Sequence, residues 1–288
     1  MEYCALTTDC WTSRNNESYV GLTIHFLTPD WEFAHFVLEN KELPVSHTAE
    51  NLAEALKEIL SDWKIQDSKI SCTTIDNAAN VHKSLADVLQ WPYLHCFGHT
   101  LNLAVKAGLA VTRISHVQAK CARVVSFFRR SSKAKYVLTE KQKALGLPEH
   151  ALLQDVCTRW NSTFDMMGRL LEQQAAVCAA VIELKRMDLL PSGDDLKLVE
   201  NVIEVLKPFK DITKNVSGEK YTTVSLVKPL LHHLLTQSLK VKTEDPVSIQ
   251  HMKAAMEENF RSRYNLISYF EWYVFLTLGL RDSHSLFH

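Results

Sequence analysis

Tyr3-Cys4-Ala5-Leu6-Thr7-Thr8-Asp9-Cys10-Trp11-Thr12-Ser13-Arg14-Asn15-Asn16-Glu17-Ser18-Tyr19-Val20-Gly21-Leu22-Thr23-Ile24-His25-Phe26-Leu27-Thr28 reads as a β-hairpin. The first arm, Cys4 to Thr8, is short and rich in Thr and apolar residues. The second, from Tyr19 to Phe26, is β-branched and aromatic, which favours a strand. A polar turn through Arg14 to Glu17 joins them. One hairpin cannot bury its apolar face alone, so further strands are required. Asp9 falls where the first arm is expected to end. A carboxylate there is either a turn former or the start of a site.

Outward from the hairpin, Thr28-Pro29-Asp30 turns into a third strand through Trp31 to Leu38, closing at Glu42-Leu43-Pro44. A helix is expected from Ala49 to Trp63, because Leu52, Leu56, Ile59 and Leu60 form one apolar stripe opposite Glu50, Glu54, Lys57 and Glu58. Lys69 to Ile75 is a fourth strand that ends at Asp76. Asp76-Asn77-Ala78-Ala79-Asn80 turns into a helix over Val81 to Leu89, with Asp76 or Asn77 able to cap it. Pro92 to Cys96 is a fifth strand. Three strands, helix, strand, helix, strand describe an α/β mixed sheet, not a simple alternating one. Beyond Gly98 nearly everything reads as helix: Thr100–Ala107, Ser115–Ala134, Ser162–Met187, Asp195–Ile212 with Pro208 as a kink or a restart, Thr223–Leu239 and Pro246–Tyr264. Pro191-Ser192-Gly193-Asp194 marks a break, with Asp194 as the expected cap.

Composition sets limits. The 288 residues are 46% hydrophobic and 23% charged, with a formal net charge of −1. That is a globular balance without the global positive field of a nucleic-acid binder, so any phosphate contact needs a local patch. Seven cysteines without disulfide-rich spacing point to reduced thiols in an intracellular protein. No apolar run reaches membrane-spanning length. Met1-Glu2-Tyr3 enters the first strand directly, so no signal peptide is expected and a preceding domain is expected to be missing.

Four groups stand out chemically. Asp9 and Asp76 converge if the first and fourth strands are neighbours. Two like charges in one place are relieved by a hard cation, Mg²⁺ or Mn²⁺, and a pair of such ions can clamp a phosphodiester. As isolated strand-end residues they read first as turn formers. Cys96-Phe97-Gly98-His99 has a Cys-x-x-His spacing, but a structural zinc site wants four ligands and no second compact pair is found. The pair is read as bracing a turn. Arg159-Trp160 before Asn161 and Ser162 offers a phosphate fork and a flat face for a base. A buried Trp beside a helix cap would look the same. Arg129, Arg130, Lys133 and Lys135 form a basic run that reads as a solvated face or a phosphate contact.

Taken in order, these groups bear a resemblance. Thr7-Thr8-Asp9-Cys10-Trp11-Thr12-Ser13 with Tyr19-Val20, Thr74-Ile75-Asp76-Asn77-Ala78-Ala79-Asn80, Cys96-Phe97-Gly98-His99-Thr100-Leu101-Asn102-Leu103 and Asp155-Val156-Cys157-Thr158-Arg159-Trp160-Asn161-Ser162-Thr163 resemble the hAT superfamily transposase core. The resemblance is in particular to the domesticated zinc finger BED domain-containing proteins of animals, over about residues 3–265.

The resemblance implies a ribonuclease H-like mixed sheet interrupted by a large all-helical insertion and truncated at its C-terminus. The implied divisions are residues 1–100 for the core, 101–268 for the insertion and 269–288 for a divergent apolar tail. It gives Asp9 and Asp76 the places of the first two metal-binding acids, as vestigial catalytic positions, with Cys96 and His99 supporting them. Arg159 and Trp160 take the places of a DNA-handling Arg-Trp pair.

Three family parts find no match: the core helix with the third acid, a Glu; the C-terminal dimerisation segment; and the BED finger. Glu271 has no recognisable context. The expectation is a transposase-derived nuclear protein without catalysis, related to DNA-binding transcription regulators. The alternative is an active metal-dependent DNA transposase using Asp9, Asp76 and a third acid. Mg²⁺ or Mn²⁺ is the cofactor the pair admits, and zinc is not expected without the finger. Weak DNA contact, protein partners, no membrane, and a monomeric or weakly self-associating chain are the partner expectations.

Overall fold

The computed structural model describes residues 3–156, 159–217 and 224–264. They fall into two compact units, one of residues 3–100 and one of residues from 101 onward.

The first unit is built on a five-stranded sheet. Its strands are β1 (Cys4–Thr12), β2 (Ser18–Leu27), β3 (Phe33–Glu42), β4 (Ile70–Ile75) and β5 (Tyr93–His95). Their spatial order is β3-β2-β1-β4-β5. The first three form an antiparallel meander, while β4 and β5 run parallel to β1. The meander needs only tight turns. The step from β3 to β4 needs a crossover, and helix α1 (Ala49–Asp62) supplies it. Thr48 caps α1 by accepting the Asn51 N–H at 3.3 Å. The four residues of the expected stripe, Leu52, Leu56, Ile59 and Leu60, are all buried, in one core with Leu6, Val20, Leu22 and Ile24. Each such side chain contributes roughly 2 kcal/mol of burial.

The first strand is longer than its sequence indicates. β1 runs on to Thr12 because β2 stays in register with it, from Ala5↔His25 to Thr12↔Ser18. The turn then closes through the Ser13 N–H to Glu17 carbonyl bond at 2.7 Å, with Asn16 at φ 65°. Asp9 is therefore inside β1, opposite Gly21, and not at its end. The β4 side differs: its pairing with β1 stops at Thr7↔Thr74. β3 starts at Phe33, two residues after the expected Trp31, and runs past Leu38 to close at Glu42, with an irregularity opposite Leu22 and Thr23. After β4, helix α2 (Ala79–Lys83) begins two residues before the expected Val81 and passes into a π-helical turn over Ser84–Leu89.

The second unit is helical. Its elements are α3 (Phe97–Leu109, entering from the first unit), α4 (Thr112–Arg130), α5 (Ser132–Ala144), α6 (Trp160–Glu172), α7 (Gln174–Glu183), α8 (Gly193–Val216), α9 (Val224–His233) and α10 (Val247–Arg263). Two segments expected to be single helices are divided. The first breaks at Ser131, whose hydroxyl caps α5 by accepting the Ala134 N–H. The second breaks at Gln173, a fully buried amide that bonds Gln142 and the Pro148 carbonyl.

Pro208 does not break α8. A proline inside a helix costs about 3 kcal/mol, and burial of Val205, Leu206, Phe209 and Ile212 around it outweighs that. Ser192, not Asp194, caps α8, accepting the Asp195 N–H at 3.1 Å. Thr223, the apolar tail 269–288 and Glu271 lie outside the described residues. Among the described residues no helix is long and apolar enough to cross a membrane.

Candidate functional site

The two acids lie towards the same end of the parallel strand pair. The pairing of β1 with β4 ends at Thr7↔Thr74, two residues short of Asp9 on β1 and of Asp76, which follows β4 directly. Alternation along β1 turns Leu6 and Thr8 into the core and leaves Asp9 exposed on the other face. Each carboxylate also does local work. The Cys10 N–H donates to Asp9 Oδ1 at 2.9 Å, and the Ala78 N–H donates to Asp76 Oδ1 at 2.9 Å. The second bond closes an Asx turn that leads into α2.

Cys10 reports on the pair. Its thiol is pushed up to about 12, first by burial, then by the charges of Asp76 and Asp9. Both carboxylates therefore act on one point. A hard divalent cation fits that donor set, with water or a phosphate oxygen filling its remaining positions. Among the described residues, no group of three or more His, Cys, Asp and Glu is placed to hold a metal ion.

Around the acids, the Cys96 N–H donates to the Ile75 carbonyl at 2.7 Å, and the Thr100 N–H to the Cys96 carbonyl at 3.0 Å. Asn77 Nδ2 donates to Thr100 Oγ1 at 3.1 Å. Together these tie the turn after β4 to the first turn of α3. Cys96 and His99 are both half-buried there. The six described cysteines are free.

Arg159 and Trp160 belong to the helical unit. Arg159 is exposed and occupies the cap position of α6. The Ser162 hydroxyl accepts the Val156 N–H at 2.7 Å and lies 2.7 Å from the Arg159 carbonyl, closing the loop ahead of α6. Cys157 and Thr158, within that loop, lie outside the described residues. Trp160 is 3% exposed. Its backbone N–H donates to Asn102 Oδ1 at 3.3 Å, and its ring meets Phe164 edge-on at 6.3 Å. That geometry presents no indole face to a base. Arg129, Arg130, Lys133 and Lys135 are exposed around the α4–α5 junction. Arg129 reaches the Leu152 carbonyl, and Tyr136, 67% exposed, stands among them.

Cys10, Asn77, Thr100 and Asn102 are the members of these sites that reading by residue type passes over. All four lie inside the quoted motifs, and that is the signal by which they were within reach.

A sheet ordered β3-β2-β1-β4-β5, with acids on β1 and after β4, defines a ribonuclease H-like core, here joined to a large helical insertion. Comparison with known proteins agrees. The ZBED1 RNase-like domain matches residues 7–96, and the ZBED1 RNase-like helical domain matches residues 94–205. Zinc finger BED domain-containing protein 4 of Homo sapiens is 27% identical over 282 residues, covering 94% of this chain and 24% of that protein. A Zea mays protein named as an AC transposase is 26% identical, over 90% of this chain and 34% of its own length. Zinc finger BED domain-containing protein RICESLEEPER 2 of Oryza sativa subsp. japonica is 26% identical, over 84% of this chain and 36% of its own. The chain has a transposase-related fold of the hAT/BED type and is a transposase-derived protein related to these BED-domain homologues. It spans about a quarter to a third of the length of these relatives.

Proposed function

We propose that this chain is a nuclear, DNA-associated regulatory scaffold in which the transposase chemistry is lost. In this reading residues 1–100 are the vestigial core and 101–268 the insertion. Asp9 and Asp76 are former metal ligands, and Cys96 and His99 brace the turn beside them. The observation that carries the reading is the work these side chains do. Both carboxylates bond their own backbone, and Trp160 is an anchor inside the helical unit. DNA contact then falls to exposed Arg159 and to the ridge of Arg130, Lys133 and Lys135, which neutralises phosphate charge without reading sequence.

The purified chain is incubated with labelled duplex and hairpin DNA in Mg²⁺ or Mn²⁺. Binding with a salt slope that becomes shallower in Arg130→Glu/Lys133→Glu, and without strand cleavage, is the expected result. Metal-dependent cleavage or strand transfer overturns it. One observation favours the second reading, an active metal-dependent transferase: the two charges converge beside Cys10. Calorimetry separates the readings. Cation binding that disappears in both Asp9→Asn and Asp76→Asn supports a formed metal site. Absence of binding in a cooperatively folded chain supports the scaffold.

A further inference from the structure

Trp11 is a large aromatic that the core does not cover. It stands directly across from Tyr19 in the β1–β2 register. The two rings lie 5.7 Å apart with planes 16° from parallel. The far end of the indole passes over Gly21. A Cβ at position 21 would stand 2.9 Å from Trp11 Cζ3 and 3.2 Å from Cη2, so only glycine leaves room for the ring. The indole is thus held in one place, yet it remains 40% exposed. An aromatic surface fixed before binding loses little freedom when a partner settles on it.

The charges around the rings decide what that partner is. Side chains alternate along β1, so exposed Asp9 shares the face of Trp11. Glu42 pairs with Tyr19 from the β3 side. The Tyr19 hydroxyl donates to Glu17 Oε2 at 3.1 Å. Glu17 and Glu42 are both exposed. The Tyr19 phenol is pushed up, first by its hydrogen bond to Glu17, then by burial and by the charges of Glu17 and Glu42. Exposed Arg14 is the single basic residue between Asp9 and Glu17. Three carboxylates against one guanidinium leave the rim of the aromatic pair negative. A nucleic-acid base stacks on an indole, but here its phosphates would enter a field of their own sign. A cation is attracted twice, by the negative faces of the rings and by the carboxylates beside them.

We propose that the Trp11–Tyr19 face is a docking site for an arginine side chain on a basic segment of a partner protein. A guanidinium is planar and weakly hydrated. It lies flat on an aromatic ring while its N–H fork donates to a carboxylate at the rim. Lysine brings the charge without the plane or the fork, so the site favours arginine over lysine.

The test is fluorescence anisotropy of a dye-labelled Gly-Arg repeat peptide titrated with the full chain, at low salt and without divalent cations. A Gly-Lys repeat of the same length and a labelled oligothymidine are run beside it. The expected result is binding of the arginine peptide that weakens with salt and is at least about threefold tighter than that of the lysine peptide. Trp11→Ala should weaken it at least about threefold, while Trp11→Phe, which keeps a ring, loses less. Glu42→Gln changes an exposed side chain without altering its shape, so the fold persists by circular dichroism, and it should weaken binding by about two- to fivefold. That variant decides the matter if Trp11→Ala does not fold. No binding of the arginine peptide at about 1 mM, or affinity indifferent to Glu42→Gln, overturns the proposal. So does oligothymidine binding that is lost in Trp11→Phe or Trp11→Ala, because the platform then serves a base.

Discussion

Replacing Trp160 separates its two roles. Its side chain is 3% exposed, and a buried indole removes about 200 Å² from water. At about 25 cal/mol per Å² that is about 5 kcal/mol, an upper estimate because the unfolded chain already shields part of it. Large-to-small changes at aromatic core sites cost about 3–5 kcal/mol, and the edge contact with Phe164 adds about 1 kcal/mol. Trp160→Ala should therefore cost about 3–5 kcal/mol, a large fraction of an ordinary domain's stability of about 5–15 kcal/mol. Trp160→Phe keeps most of the ring and should cost about half as much. Urea unfolding followed by far-ultraviolet circular dichroism measures both. Arg159→Ala is the control. It is exposed and makes no side-chain cap bond, so its stability should stay within about 0.5 kcal/mol while DNA affinity falls. Trp160→Phe should leave DNA affinity unchanged. The reasoning is refuted if Trp160→Ala is as stable as the wild type and loses DNA binding, because the indole then works outside the core.

Three further outcomes follow from particular contacts. Burial pushes the Asp195 carboxyl up, but hydrogen bonds from Lys120, Ser192 and Arg113 outweigh it and hold the group at about 2. The folded value lies below the unfolded one, so this stabilisation is full above about pH 4 and is lost as pH falls towards 2. It amounts to about 2 kcal/mol, and Asp195→Asn should flatten that limb of an acid-unfolding curve. Gly108→Ala would set a Cβ 2.6 Å from Met256 Cγ. It should destabilise by about 1–3 kcal/mol in calorimetry despite the gain in helix propensity. Cys10, with its thiol at about 12, should resist alkylation at pH 8. Asp76→Asn should speed that reaction more than Asp9→Asn, as read by peptide mass spectrometry, and no acceleration from one of the two substitutions would count against their joint action on Cys10.

Periodicity made the core legible where burial follows spacing. Leu52, Leu56, Ile59 and Leu60 all lie on the buried face of α1, with Ala53 and Ala55 beside them, because one helical face answers to one sheet. The placement of Asp9 was legible only in part. Its residue type indicates an acid near a strand end, but the end of β1 is set by how far β2 stays paired, and that depends on a turn fourteen residues into the chain. The divisions at Ser131 and Gln173 were not legible from apolar spacing, which continues through both. One rests on a hydroxyl capping a new helix. The other rests on a buried amide whose partners, Gln142 and Pro148, are distant in sequence. Trp160 shows the same limit from the functional side. An Arg-Trp pair at a helix start looks alike whether the indole meets a base or a core. Asn102, which receives the Trp160 N–H, comes from another helix.

The backbone bonds of the two acids do not by themselves account for the charges. An Asn at position 76 could accept the Ala78 N–H as well as Asp does, since the Asx turn needs only a carbonyl-type oxygen. The charges of Asp76 and Asp9 both raise the cost of ionising Cys10. Local folding thus explains why a short polar acceptor stands at position 76, but does not select Asp over Asn there. Cation binding is therefore a more discriminating measurement on this chain than stability.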